Sequence, residues 1–173
     1  MQIRKAIADD ISAISRIYDA IHTDEEAGRA VIGWIRGVYP TEATARQALK
    51  RKDLFVAEEE GRVIGAAIIN RQQVDVYAAG EWEEDAPEDE VMVLHTLVIA
   101  PDKARMGYGR AFVRFYEEYA LSENCRYLRI DTNARNLRAR ALYRRLGYRE
   151  SGIVPCAFNG IEGVQLVLLE KKL

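Results

Sequence analysis

Leu97-Val98-Ile99-Ala100-Pro101-Asp102-Lys103-Ala104-Arg105-Met106-Gly107-Tyr108-Gly109-Arg110 carries an apolar strand into a glycine-bearing loop. Ala111, Phe112, Phe115, Tyr116 and Tyr119 then recur at helical spacing. Pro101 has no N–H and ends strand pairing. Gly107 and Gly109 give the backbone unusual φ values and let a ligand approach closely. Successive N–H groups at a helix start form an anion site, reinforced by the helix dipole. Lys103, Arg105 and Arg110 add positive charge. The run suits a pyrophosphate; read alone, it is equally a tight strand-to-helix turn. It is not a Walker loop, because no Gly-Lys-Ser/Thr follows. Nor is it a GxGxxG fingerprint, because the third residue after Gly109 is Phe112 and no acidic residue closes a ribose-binding strand at the expected distance.

Downstream, residues 127–132 alternate as a strand, and Asn133 or Asn136 is placed to cap a helix over 137–146 that Gly147 stops. Asn136, Ala139 or Arg140, and Tyr143 share one face of that helix. Ala139 is small enough for a ligand chain to pass, and Tyr143 sets a phenol on the floor of a cleft. The same pattern also reads as a capped amphipathic helix with a half-buried tyrosine. Strands are expected near 148–154 and 163–169.

Upstream, residues 2–7 alternate as a strand. Asp9 or Asp10 is expected to cap a helix whose stripe includes Ile11, Ile14, Ile17, Tyr18 and Ile21. Residues 28–39 have helical spacing at Ile32 and Ile35, interrupted by glycines. Pro40-Thr41 opens a helix through about 50. The Val-, Ile- and Ala-rich runs 54–58 and 62–70 flank Gly61 and predict a β-hairpin. A strand over 90–99 follows the acidic loop 81–90. Antiparallel strands precede a βαβα unit, so the expected class is α+β.

The 173 residues suit one domain, and 49% hydrophobic with 30% charged residues is ordinary globular composition. The N-terminus lacks an apolar core and cleavage site, and no run of about 18 apolar residues spans a membrane. Two cysteines, Cys125 and Cys156, form no CxxC pair or Cys/His cluster, so neither a metal site nor a disulfide framework is expected. A reducing cytoplasm fits best. Net charge is −2, but residues from Pro101 onward carry 14 Lys+Arg against 8 Asp+Glu, whereas residues 1–100 carry 11 against 19. That split describes either two solvated surfaces, or an anionic ligand held by the C-terminal half with a cationic one drawn to the N-terminal half.

Taken together, 97–101 with Gly107-Tyr108-Gly109, then Asn136, Ala139, Tyr143, Gly147 and Tyr148 in order, resemble the GNAT acyltransferase superfamily over roughly residues 90–150. The resemblance implies a single domain over 1–173. It also implies a central mixed, mostly antiparallel sheet flanked by helices, with a splayed strand pair opening a CoA cleft. It implies acetyl-CoA as cosubstrate. Backbone groups of Leu97, Val98 and Ile99 would then pair with the pantetheine arm. N–H groups of Arg105, Met106, Gly107, Tyr108, Gly109 and Arg110 would hold the pyrophosphate. Asn136 would touch the pantetheine beside Ala139, and Tyr143 would sit near the thioester sulfur. The superfamily usually has Arg or Gln where this chain has Ala104, which puts a side-chain contact there in doubt, though not the backbone cradle.

The implied chemistry is direct attack of an amine on the acetyl thioester, with a strand N–H near Ile99 facing the oxyanion and Tyr143 protonating the thiolate. His95, two residues before Leu97, is the first candidate base, because its ordinary pKa suits proton transfer near neutral pH. Glu90 and Asp131 are weaker candidates, and His22 reads as structural. The acidic loop is either solvated or draws a cationic amine towards aromatic walls at Trp34, Tyr39, Trp82 and Phe158. The rival function is a non-catalytic acyl-CoA-binding or regulatory domain on the same fold. Nucleic-acid binding is not expected, since the chain is acidic overall and has no recognition motif. A homodimer fits the superfamily's habits. The acceptor amine is left open.

Overall fold

The computed structural model describes every residue except Glu84, which falls within the acidic loop named above and lies outside the described residues. Seven strands form one sheet: β1 (Gln2–Lys5), β2 (Leu54–Glu59), β3 (Arg62–Asn70), β4 (Val91–Ile99), β5 (Tyr127–Asn133), β6 (Arg149–Phe158) and β7 (Ile161–Lys172). Their order is β1-β2-β3-β4-β5-β7-β6. All pairs are antiparallel except β4–β5. Four helices flank the sheet: α1 (Ile11–Glu26), α2 (Glu42–Arg51), α3 (Tyr108–Ser122) and α4 (Leu137–Arg145).

Helix α1 buries the stripe its spacing predicts, whereas α3 buries Phe112 and Tyr116 of its predicted stripe with Val113 and Ala120, leaving Phe115 and Tyr119 partly buried. Ile11, Ile14, Ile17, Tyr18 and Ile21 of α1 join Ala45 and Ala48 of α2 on one face of the sheet, against Val56, Ala66, Ile68 and Val98. On the other face, Phe112, Val113, Tyr116 and Ala120 of α3 and Tyr143 of α4 pack on Met92, Leu94, Leu128 and Ile130. A third cluster, below β5 and β7, gathers Tyr77, Val91, Val93, Ile161, Val164, Leu166 and Leu168.

Two local expectations are corrected. Asp10 stands at the N-cap position of α1, but its carboxylate accepts from the Ile7 N–H at 2.8 Å and from Arg4 Nη1 at 2.7 Å instead of capping forward. A charged partner outcompetes a helix N–H for that carboxylate. Residues 28–39 form no helix. Gly28, Gly33 and Gly37 all take positive φ, and the Glu25 carboxylate accepts the N–H groups of Ile32 and Gly33 at 2.6 and 2.9 Å. At Gly33 (φ +88°) a Cβ would come within 2.3 Å of Asn133 Nδ2, so the loop lies directly on the end of β5. Strands β6 and β7 are longer than expected, because each continues past its apolar core run as the other's antiparallel partner.

The feature that opens the molecule lies in β4. Thr96 has φ +51°, and one extra residue of β4 enters its ladder with β3 between His95 and Val98. This bulge turns Leu97 and Ile99 towards the α3/α4 face and Val98 towards the α1/α2 face. The parallel pairing of β4 with β5 ends at Leu94 and Ile130, and β5 continues with β7 alone. The two strands therefore part, and β4 from His95 onward has no β5 ladder.

Candidate functional site

The parting strands open into a cleft of about 1240 Å³, reaching from α3 and α4 across the sheet to the 28–40 loop. That is more than one small-molecule pocket usually needs, so the cleft has room for two ligands. The α3/α4 half is built from the run that opens α3. Gly107, at the N-cap of α3, has φ +89°, and a Cβ there would meet nothing within 4 Å. The first N–H groups of a helix lack intrahelical partners, and here they stand beside Arg105, which also takes positive φ and lines the cleft. Arg105, Gly107, Tyr108, Gly109 and Arg110 all line the cleft; Met106 is 60% exposed at its edge. Lys103 and the Tyr108 hydroxyl both turn to Glu59, at 2.9 and 2.5 Å. The Lys103 charge is therefore already matched, and the guanidiniums of Arg105 and Arg110 are the cations the loop offers.

On α4, Asn136 is the cap: its Oδ1 accepts from Ala139 N at 3.1 Å. Asn136, Ala139 and Tyr143 line the cleft together with Leu97, Val98 and Ile99 of β4. The Tyr143 phenol is held well above its ordinary pKa, first by burial and then by the Asp131 carboxylate nearby. It is therefore a protonated donor at any physiological pH.

The sequence named His95 first among the bases, and the fold surrounds it with a different set of partners. His95 Nε2 faces Asn70 Oδ1 at 3.1 Å, while Asn70 Nδ2 donates to Asp53 at 2.8 Å and Asp53 pairs with Arg51. Asp53 offers only acceptors, so Asn70 must present its NH₂ there and its oxygen to the imidazole. Burial pushes the His95 pKa down to about 4, opposed by a backbone hydrogen bond at Gln72 and by the Asp53 charge, with Arg51 acting in the same sense as burial. The ring lines the cleft as a neutral group.

Asp131 stands on β5, one residue past the last β4–β5 pair, where the strands separate. Its Oδ2 accepts from the Tyr77 hydroxyl at 2.8 Å. Burial pushes its pKa up to about 6, against which the Tyr77 hydrogen bond pulls down. Its charge reaches Tyr143, Tyr39 and Cys156, whose pKa values it helps to raise behind the larger effect of burial. Asp131 thus connects the Tyr143 end of the cleft to the far half. There Tyr39 caps the β4 bulge through a short hydrogen bond to Thr96, and Trp34 packs edge-on to Tyr39 with ring centroids 6.0 Å apart.

Trp34, Tyr39 and Phe158 line the cleft as the sequence suggested, but no described residue of 81–90 does. Glu90 is therefore no part of the cleft wall. Trp82 stacks on Arg129 at 4.0 Å and donates to Tyr77 O, away from the opening. His22 is structural, with Nε2 2.9 Å from Pro40 O. Tyr77, Thr96 and Asn70 were not legible as site residues. The signal at Thr96 was present, since two adjacent polar residues, His95 and Thr96, break an apolar strand in the way a bulge requires. Tyr77 carried no local signal.

A model of the acetyltransferase (GNAT) family matches residues 14–148. An uncharacterized N-acetyltransferase of Methanocaldococcus jannaschii is 24% identical over 174 residues, covering 99% of this chain and 92% of its own. Two solved structures share the fold. Ribosomal-protein-alanine N-acetyltransferase from Brucella melitensis has a TM-score of 0.72 at 21% identity, with full coverage of both chains. The yncA protein of Salmonella typhimurium, solved with its cofactor acetyl-CoA, has a TM-score of 0.70 at 17% identity, covering 100% of this chain and 94% of that one.

Proposed function

The chain belongs to the acetyltransferase (GNAT) family, and from that premise we propose that it moves an acetyl group from acetyl-CoA to a primary amine by direct attack in a ternary complex. The observation that carries this reading is the splayed β4–β5 pair, with the glycine-bearing start of α3 on one side and the half-buried Asp131 carboxylate and buried Tyr143 phenol on the other.

The residues fit acetyl-CoA. Strand β4 from Leu97 to Ile99 offers a backbone edge to the pantetheine, the N–H groups from Arg105 to Arg110 face the pyrophosphate, and Asn136 and Ala139 flank the arm. When bound, acetyl-CoA supplies the activated carbonyl. Asp131, a carboxylate at neutral pH yet a stronger base than an ordinary aspartate, takes a proton from the ammonium so that the neutral amine attacks the carbonyl carbon. A β4 N–H near Ile99 faces the charge that develops on the carbonyl oxygen. As the C–S bond breaks, Tyr143 gives its proton to the sulfur and recovers one from the amide nitrogen being formed. The sum is one N-acetyl amine, one CoA thiol and one proton passed from Asp131 to solvent. His95, neutral and tied to Asn70, is the weaker of the two bases. It is suited to holding water in the cleft.

An acetyl-cysteine intermediate is disfavoured, because burial and Asp131 hold the Cys156 thiol above its ordinary pKa and only the thiolate is a good nucleophile. Initial rates measured against both substrates test this: intersecting double-reciprocal lines are expected, and parallel lines would contradict direct attack. Tyr143→Phe is expected to lower kcat by about 10²-fold with the Kd for acetyl-CoA unchanged. An unchanged kcat would remove Tyr143 from the reaction.

The Tyr77 hydroxyl donates to the charged form of Asp131 and so holds its pKa down against burial. Tyr77→Phe is therefore expected to move the acid limb of the kcat/KM–pH profile upward from about pH 6. A limb that stays in place would show that Asp131 is not the group titrating.

A further inference from the structure

The half of the cleft beyond Asp131 carries an apolar and aromatic wall beside polar groups such as Gln47, Asn70 and Asn159. Trp34 and Tyr39 come from the loop before α2, Phe158 from the end of β6, and Ile161, Val164 and Leu166 from β7. The charged groups on this side are largely matched within the protein. Asp24 pairs with Arg29 and Arg51 with Asp53, both at 2.8 Å, and the Glu25 carboxylate is taken by the N–H groups of Ile32 and Gly33. Asp131 differs: it is set among apolar residues, and its recorded hydrogen bond is from a neutral phenol. A half-buried carboxylate with no cation beside it is destabilised, and a bound cation relieves that cost.

Resting on the acetyltransferase reading above, we propose that the acceptor is a small primary amine with one positive charge and an apolar, aromatic-sized body. The ammonium faces Asp131 and the body lies between Trp34, Tyr39 and Phe158. A second ammonium, as in a diamine, would have to be desolvated against Ile161, Val164 and Leu166, and among the described residues the other cleft carboxylate on this side, Asp24, is already paired with Arg29. The carboxylate of a free amino acid would lie near Asp131 and meet like charge. Both penalties act on binding in the reactive pose, so they lower kcat/KM.

The test compares kcat/KM for CoA release with 2-phenylethylamine, n-butylamine, 1,4-diaminobutane and L-alanine at one pH, in wild type and in Phe158→Ala. Wild type is expected to prefer 2-phenylethylamine over 1,4-diaminobutane and L-alanine by about 10- to 100-fold. Phe158→Ala is expected to raise the KM for 2-phenylethylamine about tenfold and that for the smaller n-butylamine by a lesser factor, so the preference between the two narrows. If 1,4-diaminobutane or L-alanine matches or exceeds 2-phenylethylamine, this acceptor class is wrong, but amine-dependent CoA release keeps the acetyltransferase reading. If none of the four amines releases CoA from enzyme that binds acetyl-CoA, the acceptor class falls, while the acetyltransferase reading falls only if no other amine, a peptide N-terminus included, releases CoA either.

Discussion

Replacing Asp131 with Asn is expected to lower kcat/KM for acetyl transfer by about 10²- to 10⁴-fold and to stabilise the protein at the same time. The first effect follows from removing a cleft carboxylate whose charge reaches both Tyr143 and Tyr39. The second follows from linkage. The carboxyl titrates near its ordinary 3.8 in the unfolded chain and is pushed up to about 6 by burial in the fold. Folding therefore takes up a proton between those values, so stability falls as pH rises from about 4 to about 6 and stays lower above that. Asparagine keeps the Tyr77 hydrogen bond without the charge. Its Tm at pH 8 is expected to exceed wild type by about 2–4 °C, the equivalent of about 1 kcal/mol for a chain of this size, and the gain should vanish near pH 4. Lost activity with a higher Tm separates a functional role from misfolding. Retained activity would return the base role to His95, and His95→Ala would then carry the pH dependence.

Gly107→Glu is expected to abolish acetyl-CoA binding. A ligand at about 100 times its Kd stabilises the fold by about 2.7 kcal/mol, or about 5–10 °C in Tm here, and this shift should disappear. The glutamate would stand in the open space at the start of α3, where the N–H groups and Arg105 face the phosphates, and would repel them. Gly107→Ala is the control. With φ at +89° it strains the backbone by about 1–2 kcal/mol, lowering the starting Tm but leaving most of the shift. A full acetyl-CoA shift in the glutamate variant would place the pyrophosphate elsewhere.

What the sequence revealed was what is encoded locally. The α3 start could be read because Pro101, Gly107 and Gly109 impose their geometry within a dozen residues. Asn136 could be read as a cap because its partner, Ala139, is three residues away. The apolar stripe of α1 follows from helical period alone. The failures have a common cause in tertiary competition. Residues 28–39 have helical spacing, but Glu25 claims two of their N–H groups and the glycines admit positive φ, so the segment becomes a loop folded onto Asn133. Asp10 was diverted from capping by Arg4. The ranking of the bases was not legible for the same reason. His95 looked suited by its ordinary pKa, yet burial pushes that pKa down to about 4 against the upward pull of a backbone hydrogen bond at Gln72 and of the Asp53 charge. Asp131 owes its raised pKa to burial and its orientation to Tyr77, 54 residues earlier in the chain.

The most direct test of the acetyltransferase account is to follow thiol release from acetyl-CoA by wild-type protein at pH 8, with and without a primary amine, and to weigh the amine product. The account predicts release that requires both enzyme and amine, with one N-acetyl group appearing per thiol freed. Protein that is stabilised by acetyl-CoA yet releases no thiol with any amine would contradict it and identify a domain that binds acyl-CoA without turning it over.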